Sequence, residues 1–589
     1  MTFRPATIRT SVAVGVAAAL SGLLATAIHA QFGGNQEPPY TPAKDAKDLR
    51  AVLFNWTWYM GMLRGIDEHE LMVSLEYQAN GGTVQVDGQP CTLTKYRASI
   101  NYQTPGERIQ YTCTRANGQT YSNVEVVSGQ YAWNEDIPGA EIVPGKGKAA
   151  PMAAAVQERL IRLWASPWGA PKAAALGINE KAEWGANPAT LLQNGVTMAG
   201  KTSVAWEAGK PVVTFPIPGV PGATATATLD AKYMAERVVV KNGSATTEFT
   251  YSNYQDWNNP LNKVEVLYAG KLTERRNGAV VRDVTTKETE TGSVYVVMPV
   301  PASVQKAITV TVPAPPERPF PAAPTFGPPQ PAAQSAQNQP TPRRADGHPD
   351  LTGSWQSGGF FNWRYGFRRC GPTQSADCSR TVNQTMDYEF EAPSRFGPNR
   401  PVYKPEHWDK VQNLDMWTNK EDPVMTCQPL GIPRHGAPGR ITQTDSDVVF
   451  LYRAGVDGGG GYGEYRVVPT DGRKRDPKRE LETTFYGYTI GHWEGDTLVL
   501  DSNSFVDTTW LARGWFFHSD QMHVVEKFTR KGNQILYEVT VEDPEVLAQP
   551  WVMTPRTMTL IPSPEAGLMR ERGNCEVYEE GTVSSQIRH

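Results

Sequence analysis

The sequence lacks the short motifs that mark the common classes of enzyme and metalloprotein. It has no CxxC, CxxCH, HExxH or GxSxG motif. These absences exclude a c-type haem protein, the common zinc proteases and, at the level of motifs, an α/β-hydrolase. The glycine-rich stretch 458–463 lacks the lysine and the following helix of a phosphate-binding loop. The motifs therefore indicate no cofactor and no particular reaction.

Basic charge and long apolar segments are also scarce. The net charge of −4 gives no electrostatic footprint for nucleic acid. A single long apolar run, 11–28, follows Arg4 and Arg9 and leads to a small residue at Ala30. This pattern predicts a secretory signal peptide over 1–30, with a transmembrane anchor as the alternative. We therefore expect a periplasmic or secreted protein that has no transmembrane anchor after processing.

Cysteine is sparse, and the six cysteines are consistent with export. An even number suits an oxidising compartment, in which disulfides persist. A metal site is the alternative, but no CxxC spacing supports it. The positions along the chain predict three disulfides, which join Cys91 to Cys113, Cys370 to Cys378, and Cys427 to Cys575.

Proline divides the chain. Eleven prolines lie within 313–342, separated mainly by Ala, Gln and Ser. Such a segment forms neither a helix nor a sheet interior and is typical of an extended, semi-rigid linker. We predict a linker over 301–347 between a first module, 40–300, and a second module, 348–585, each of the size of one domain.

The first module combines helices with many strands. An apolar stripe predicts a helix over 44–64, and a second helix is predicted over 151–176, with its end broken by Pro167 and Pro171. The remaining segments alternate apolar and polar residues, which predicts strands, with a hairpin turn at 116–119. We predict an antiparallel sheet curled around a helix.

This order of elements, together with segments such as Asn-Tyr-Gln-Asp-Trp at 253–257, resembles the lipoprotein-carrier fold of the periplasm. That fold is an open half-barrel with a helical plug over an apolar cavity. The resemblance implies that the first module binds a hydrophobic molecule. A sheet module without a ligand is the alternative.

The second module carries three distinctive blocks. They read DGHPDLTGSW at 346–355, GHWEGDTLVLD at 491–501 and HSDQMHVVEKF at 518–528, with a further CQP and PR pair within 427–434. They resemble a large family of exported bacterial proteins that has no characterised function. The resemblance implies a lipocalin-like antiparallel barrel and brings no activity.

The residues of the second module favour the same fold. Short strands are predicted at 486–493, 497–502, 522–530, 534–542 and 556–560, and Glu494-Gly495-Asp496 predicts a tight hairpin turn. A meander of this kind closes into a barrel around a small cavity. The fold class is thus mainly β: a half-barrel with helices, then a lipocalin-like barrel.

Histidine indicates where chemistry would take place, because seven of the eight histidines that follow the predicted signal peptide lie beyond residue 347. His518, Asp520 and His523 form the best cluster, with Glu526 nearby. They would hold a divalent ion or act as a general acid and base. Alternation along a strand places Glu526 and His523 on opposite faces. A hydrogen-bonded structural corner is the alternative.

Two further groups complete the candidate sites. Asp501 is predicted to point inward and orient the imidazole of His518, as carboxylates do for neighbouring imidazoles. Aromatic side chains near the predicted barrel mouth would form a wall for a ligand, or pack as core; the candidates are Trp493, Trp510, Trp515 and Phe517.

The leading hypothesis is a protein that binds a hydrophobic or aromatic small molecule in a β-barrel cavity. The first alternative is a secreted hydrolase or lyase that uses His518, Asp520 and His523. The second is an envelope interaction protein. An enzyme requires His518 and His523 to converge on a cavity, a carrier requires an apolar cavity, and an interaction protein requires a large exposed apolar patch.

Overall fold

The computed structural model describes residues 42–62, 74–180, 198–257, 266–292, 295–310, 339–357, 399–414, 428–452, 464–512, 516–553 and 555–561. Within them the chain is mainly antiparallel β-structure arranged as two sheets. The second sheet is nearly closed into a barrel. The predicted fold class is confirmed.

The first sheet contains thirteen strands. In chain order they are β1 (Ser74–Val86), β2 (Gln89–Asn101), β3 (Gly106–Thr114), β4 (Thr120–Ser128), β5 (Tyr131–Glu135), β6 (Ala149–Pro151), β7 (Ser203–Glu207), β8 (Lys210–Pro216), β9 (Thr224–Leu229), β10 (Ala235–Asn242), β11 (Ala245–Asp256), β12 (Leu267–Arg276) and β13 (Ala279–Gly292). The spatial order is β6-β5-β4-β3-β2-β1-β13-β12-β11-β10-β9-β8-β7. Two meanders therefore join where β1 pairs with β13.

The predicted hairpin is present, since β3 and β4 pair antiparallel on either side of 115–119. The alternating segment that follows this turn forms two strands, β4 and β5. The division lies at Gly129, which has a φ of +55°. Glycine adopts this left-handed conformation at no steric cost, so the chain turns there.

Among the described residues, the first module contains three α-helices. They are α1 (Leu49–Tyr59), α2 (Val156–Ala165) and α3 (Gly169–Leu176). The single helix predicted over 151–176 is two helices, because Ser166 takes an extended ψ of 166° before Pro167 and a residue before proline disfavours the helical conformation. No helix among the described residues is long and apolar enough to cross a membrane.

The second sheet contains ten strands. They are β14 (Gly353–Ser357), β15 (Arg440–Gln443), β16 (Asp447–Leu451), β17 (Tyr465–Pro469), β18 (Tyr488–Glu494), β19 (Thr497–Asn503), β20 (His523–Lys531), β21 (Gln534–Glu542), β22 (Trp551–Val552) and β23 (Arg556–Leu560). Their order is β17-β16-β15-β14-β23-β21-β20-β19-β18, with β22 beside β21. The strands β17 and β18 lie near each other and nearly close the sheet.

The segment after β13 packs against both modules. Helix α4 (Ala302–Ala307) lies within the predicted linker, but Val304 and Ile308 are buried against Val126 and Trp133. Tyr295 is buried in the core of the second module, where its hydroxyl donates to the Pro401 carbonyl at 2.8 Å. The two modules are thus in direct contact.

A second contact joins the modules through helix α5 (Trp408–Asn413). The guanidinium of Arg108, on β3, lies 4.6 Å from the ring centre of Trp408, and Lys146 pairs with Glu406 at 3.1 Å. Cation–π contacts of this kind strengthen when they are desolvated, and Arg108 is buried. The convex side of the first sheet therefore carries part of the second module.

The disulfide between Cys91 and Cys113 is confirmed. It staples β2 to β3, the adjacent strands on which the two cysteines lie. The predicted pairs Cys370–Cys378 and Cys427–Cys575 lie outside the described residues.

Candidate functional site: a cavity inside the first sheet

The concave side of the first sheet is built from rows of cross-strand neighbours. Directly opposed residues on neighbouring strands share one face of a sheet. The register pairs Glu274, on β12, with Phe249 and with Arg282. It likewise pairs Leu272 with two buried neighbours, which are Tyr251 and Val284. Charged and apolar side chains therefore point into the same space.

Helix α2 closes this space and supplies its central cation. Arg162 Nε contacts Glu107 Oε2 at 2.6 Å, and Arg162 Nη1 contacts Glu125 Oε2 at 3.0 Å. Glu107 and Glu125 lie on β3 and β4, so the helix is fastened to two strands through one guanidinium. Hydrogen bonds to charged groups of this kind are stronger than neutral ones.

A second arginine extends the same network across the sheet. Arg282 lies 3.8 Å from Glu125 and 3.7 Å from Glu274, and Arg276 contacts Glu274 at 2.7 Å. Burial raises the pKa of Glu125, but the neighbouring Arg162 and Arg282 outweigh it and lower that pKa to about 2. The same balance of burial and arginine neighbours lowers the pKa of Glu274. Both carboxylates are ionised at neutral pH.

A cavity of about 30 Å³ lies among these groups, which is room for about two water molecules. Its charged lining consists of Glu107, Arg162, Glu274 and Arg282, and the rest is mostly aromatic or aliphatic: Tyr77, Ile100, Phe249, Tyr251, Tyr268, Leu272 and Val284, with Ser166 and Thr273. Leu272 and Arg282 are partly exposed, so the cavity lies close to the surface. The wall is thus mostly apolar with four charged side chains, and differs from the apolar cavity required above for a carrier.

Four buried polar atoms of the lining residues have no hydrogen-bond partner. Two of them, Arg282 Nε and Glu274 Oε2, face each other as an ion pair at 3.7 Å. The other two are the hydroxyl of Tyr268 and Nη2 of Arg162. The hydroxyl of Tyr251, by contrast, donates to the carbonyl of Ala165. Burial raises the pKa of Tyr268, which keeps the phenol protonated. An unsatisfied buried donor costs roughly 1–3 kcal/mol, so these two atoms favour a hydrogen-bond acceptor in the cavity.

The residues of this cavity were not among the candidates from the sequence. A signal existed, because Glu107 shares its strand face with Ile109 and Tyr111, and Arg282 shares its face with Val284. A charged residue at an apolar position of a strand indicates an inward charge. Sequence alone does not reveal which strands bring such charges together.

The predicted site in the second module is divided by the structure. His518 is buried, its Nδ1 donates to the Ser519 carbonyl at 2.8 Å, and its Nε2 accepts from Thr509 Oγ1 at 2.7 Å. Both ring nitrogens are occupied, and burial lowers the pKa of His518. Asp520 is exposed and accepts from Gln521 Nε2 at 2.9 Å.

His523 has a separate set of partners. Its Nε2 lies 3.2 Å from Asp501 and its Nδ1 lies 3.1 Å from Glu542. The hydrogen bond with Asp501 is the main cause that raises the pKa of His523. Asp501 was predicted to orient His518; the structure corrects this, because its carboxylate binds His523 and Arg475 instead. His518 and His523 share no partner among the described contacts, so the convergence that an enzyme requires is not found.

Glu526 lies on the face opposite His523, as predicted, and forms a buried ion pair. Its carboxylate contacts Arg466 Nη1 at 2.7 Å and Nη2 at 3.0 Å, and the exposed fractions of the two side chains are 4% for Arg466 and 0% for Glu526. Two phenols complete the group: Arg466 Nε donates to Tyr452 at 2.8 Å, and Tyr537 donates to Glu526 at 2.8 Å. A polar group of this size fills part of the barrel interior.

The predicted aromatic wall is not one surface. Trp493 stacks on His348, with ring centres 4.6 Å apart. Trp510 and Phe517 pair through a single β-bridge, and Phe517 stacks on Tyr403 at 4.9 Å. Trp510 and Phe517 are buried, as in the alternative of core packing, and Trp515 lies outside the described residues.

A further cluster in the second module was missed from the sequence. The Tyr486 hydroxyl donates to Glu464, so His435 Nδ1 is the donor to that hydroxyl at 2.5 Å. Tyr452 stacks on Tyr486 with ring centres 5.4 Å apart. His435 directly follows the Pro-Arg pair of the resemblance. No group of three or more His, Cys, Asp or Glu side chains in the described part of the chain is placed to hold a metal ion.

Comparisons with known proteins add little. No protein-family model matches the chain, and no curated protein matches its sequence. Among solved structures the chain is similar to a LolA-superfamily protein from Nitrosomonas europaea, with 8% identity and a TM-score of 0.22. The match covers 42% of this chain and 94% of the other. The likeness is weak, and the resemblance of the second module to an uncharacterised family stays a prediction.

Proposed function

We propose that the first module binds a small molecule that is partly hydrophobic or aromatic, in the cavity between helix α2 and the concave side of the sheet. The observation that carries this proposal is the lining itself. Rings of Tyr77, Phe249 and Tyr251 face a few fixed polar groups. Ligand sites in proteins have this composition, mostly apolar with a small number of placed polar groups.

The size of the cavity limits how the ligand binds. About 30 Å³ admits one polar group of a ligand in place of water. The rest of the ligand then lies toward the partly exposed side chains of Leu272 and Arg282, where the cavity comes close to the surface. Burial of an aromatic ring there gains roughly 25 cal/mol for each Å² of apolar surface removed from water.

We also propose that the protein acts in the periplasm or outside the cell. The first thirty residues have the charge order and apolar run of a signal peptide, and the Cys91–Cys113 disulfide suits an oxidising compartment. An aromatic molecule in such a compartment is poorly soluble in water, which is a reason for a protein there to bind it.

The experiment uses the neutral fluorescent probe N-phenyl-1-naphthylamine with the full mature chain. Leu272→Trp fills the cavity from its rim, and we expect the affinity for the probe to fall at least tenfold. Lys271→Trp is the matched control, because Lys271 is the neighbour on the opposite face of the same strand and contacts Asp283; its affinity should equal that of the wild type. Absence of binding to the wild type, or an equal loss in both variants, would refute the proposal.

A further inference from the structure

The charges that line the cavity already neutralise one another. Two arginines, Arg162 and Arg282, face two glutamates, Glu107 and Glu274. Outside the lining, Glu125 contacts both arginines, and Arg276 contacts Glu274. Each cation therefore has a carboxylate partner, and each carboxylate has a guanidinium partner.

This balance disfavours a charged ligand. A ligand carboxylate would lose its hydration and find every arginine already paired, and a ligand ammonium would find every glutamate already paired. Desolvation of an ion is repaid only by a well-placed counter-ion. The cavity therefore selects against both signs of charge.

The unused hydrogen-bonding atoms point to the kind of neutral group that fits. Arg282 Nε and Glu274 Oε2 make no hydrogen bond but pair with each other at 3.7 Å. The Tyr268 hydroxyl and Arg162 Nη2 remain as buried donors without partners, and both residues line the cavity. A carbonyl oxygen has two lone pairs and accepts up to two hydrogen bonds. A hydrocarbon leaves both donors unsatisfied, which costs affinity as an unpaired buried donor does.

We infer that the cavity binds the carbonyl group of an uncharged aromatic ester or amide, with the Tyr268 hydroxyl and Arg162 Nη2 as hydrogen-bond donors. The aromatic part of the ligand lies at the rim of the cavity, against the partly exposed side chains of Leu272 and Arg282. This inference rests on the proposed function, because it specifies the ligand of the same cavity.

Four probes with one naphthalene ring test the inference by titration calorimetry on the full mature chain at pH 7.5. They are methyl 2-naphthoate, 2-naphthoate, 2-naphthylmethylamine and 2-methylnaphthalene. We expect the ester to bind at least tenfold more tightly than each of the other three. If the hydrocarbon binds as tightly as the ester, the protein does not recognise the carbonyl group. If the acid or the amine binds most tightly, the argument from charge is wrong. Either result overturns this inference and leaves the proposed function standing, whereas absence of binding by all four probes overturns both.

A pair of variants assigns the donor. Tyr268→Phe removes a hydroxyl that has no partner in the protein, so we expect the ester to lose about tenfold in affinity while 2-methylnaphthalene is unaffected. Tyr254→Phe is the matched control, because Tyr254 lies outside the cavity lining and its hydroxyl already donates to the carbonyl of Ala235 at 2.9 Å; it should keep the preference for the ester. Loss of the preference in both variants, or in neither, would show that Tyr268 is not the donor.

Discussion

Replacement of Glu526 by leucine would leave the positive charge of Arg466 in the interior of the second barrel without its carboxylate. The exposed fractions of these side chains are 4% for Arg466 and 0% for Glu526, so water cannot replace the lost partner. Loss of one half of a buried ion pair costs about 3–5 kcal/mol. For a domain of this size, each kcal/mol lowers Tm by roughly 2–4 °C, so a loss of about 4 kcal/mol lowers the Tm of the second module by roughly 8–16 °C.

Removal of both charges should cost less than removal of one. In the double variant Arg466→Met/Glu526→Leu no charge is buried alone. The remaining cost comes from Tyr452 and Tyr537, whose hydroxyls lose the bonds at 2.8 Å that they make to Arg466 and Glu526. Two unpaired buried hydroxyls cost about 2 kcal/mol or more in total. The double variant should therefore be more stable than either single variant.

Urea unfolding of the full chain, followed by circular dichroism, measures the four corners of this mutant cycle. The free energy of unfolding of the second module is compared among the wild type, Glu526→Leu, Arg466→Met and the double variant. If the two single losses simply add in the double variant, the two side chains do not act as a pair, and our account of the barrel interior is wrong. Independent sites add to within about 0.5 kcal/mol, which sets the precision required.

Three other expectations follow from the described contacts. The double variant Cys91→Ser/Cys113→Ser opens a loop with a sequence separation of 22 and should lower the free energy of unfolding of the first module by about 3 kcal/mol. Denaturant unfolding measures this free energy, which should equal that of the reduced wild type; an unchanged value would contradict the prediction. Burial lowers the pKa of His518, so its contribution to stability is present above pH 6.5 and is lost as the pH falls toward the lower folded-state pKa. His518→Gln should therefore flatten the stability profile below pH 6.5, and an unchanged slope would argue against this. The pKa of His523 is raised mainly by Asp501, so its small contribution is present below pH 6.5 and is lost as the pH rises through the folded-state pKa; the difference in stability between wild type and His523→Asn should shrink from pH 6 to pH 9, and a constant difference would refute this assignment.

Local structure follows closely from the sequence where side chains alternate. The strands β18 to β21 coincide with the predicted segments to within two residues, because their apolar residues recur with a period of two. Gly495 has a φ of +61°, as the predicted turn requires, although Asp496 also binds Arg343 through two hydrogen bonds of 2.8 and 2.7 Å. The sequence also predicted the break near Pro167, but not that a separate helix, α3, follows it.

The arrangement of the elements and the cavity were not predictable in the same way. The alternation of apolar and polar residues within β1 and β13 does not predict that these two strands pair, because pairing depends on contacts between residues about two hundred positions apart. Arg162 looks like a solvent-facing charge in the sequence, and becomes an interior group only once α2 lies over β3. His518 and His523, five positions apart, point to different surroundings because one lies in a loop and the other begins β20.

The pairing of β1 with β13 has a consequence for the order in which the first module assembles. Ser74 lies opposite Gly292, so the middle of the sheet is completed only when the last strand of the module has been synthesised. Until then β1 presents an open edge with unpaired backbone groups, and such edges recruit strands from other chains. Long-range pairing of this kind also slows folding, because the chain entropy is lost before the contact is made. A fragment that stops before Ala279 would therefore tend to aggregate, while each meander could already hold its own hairpins.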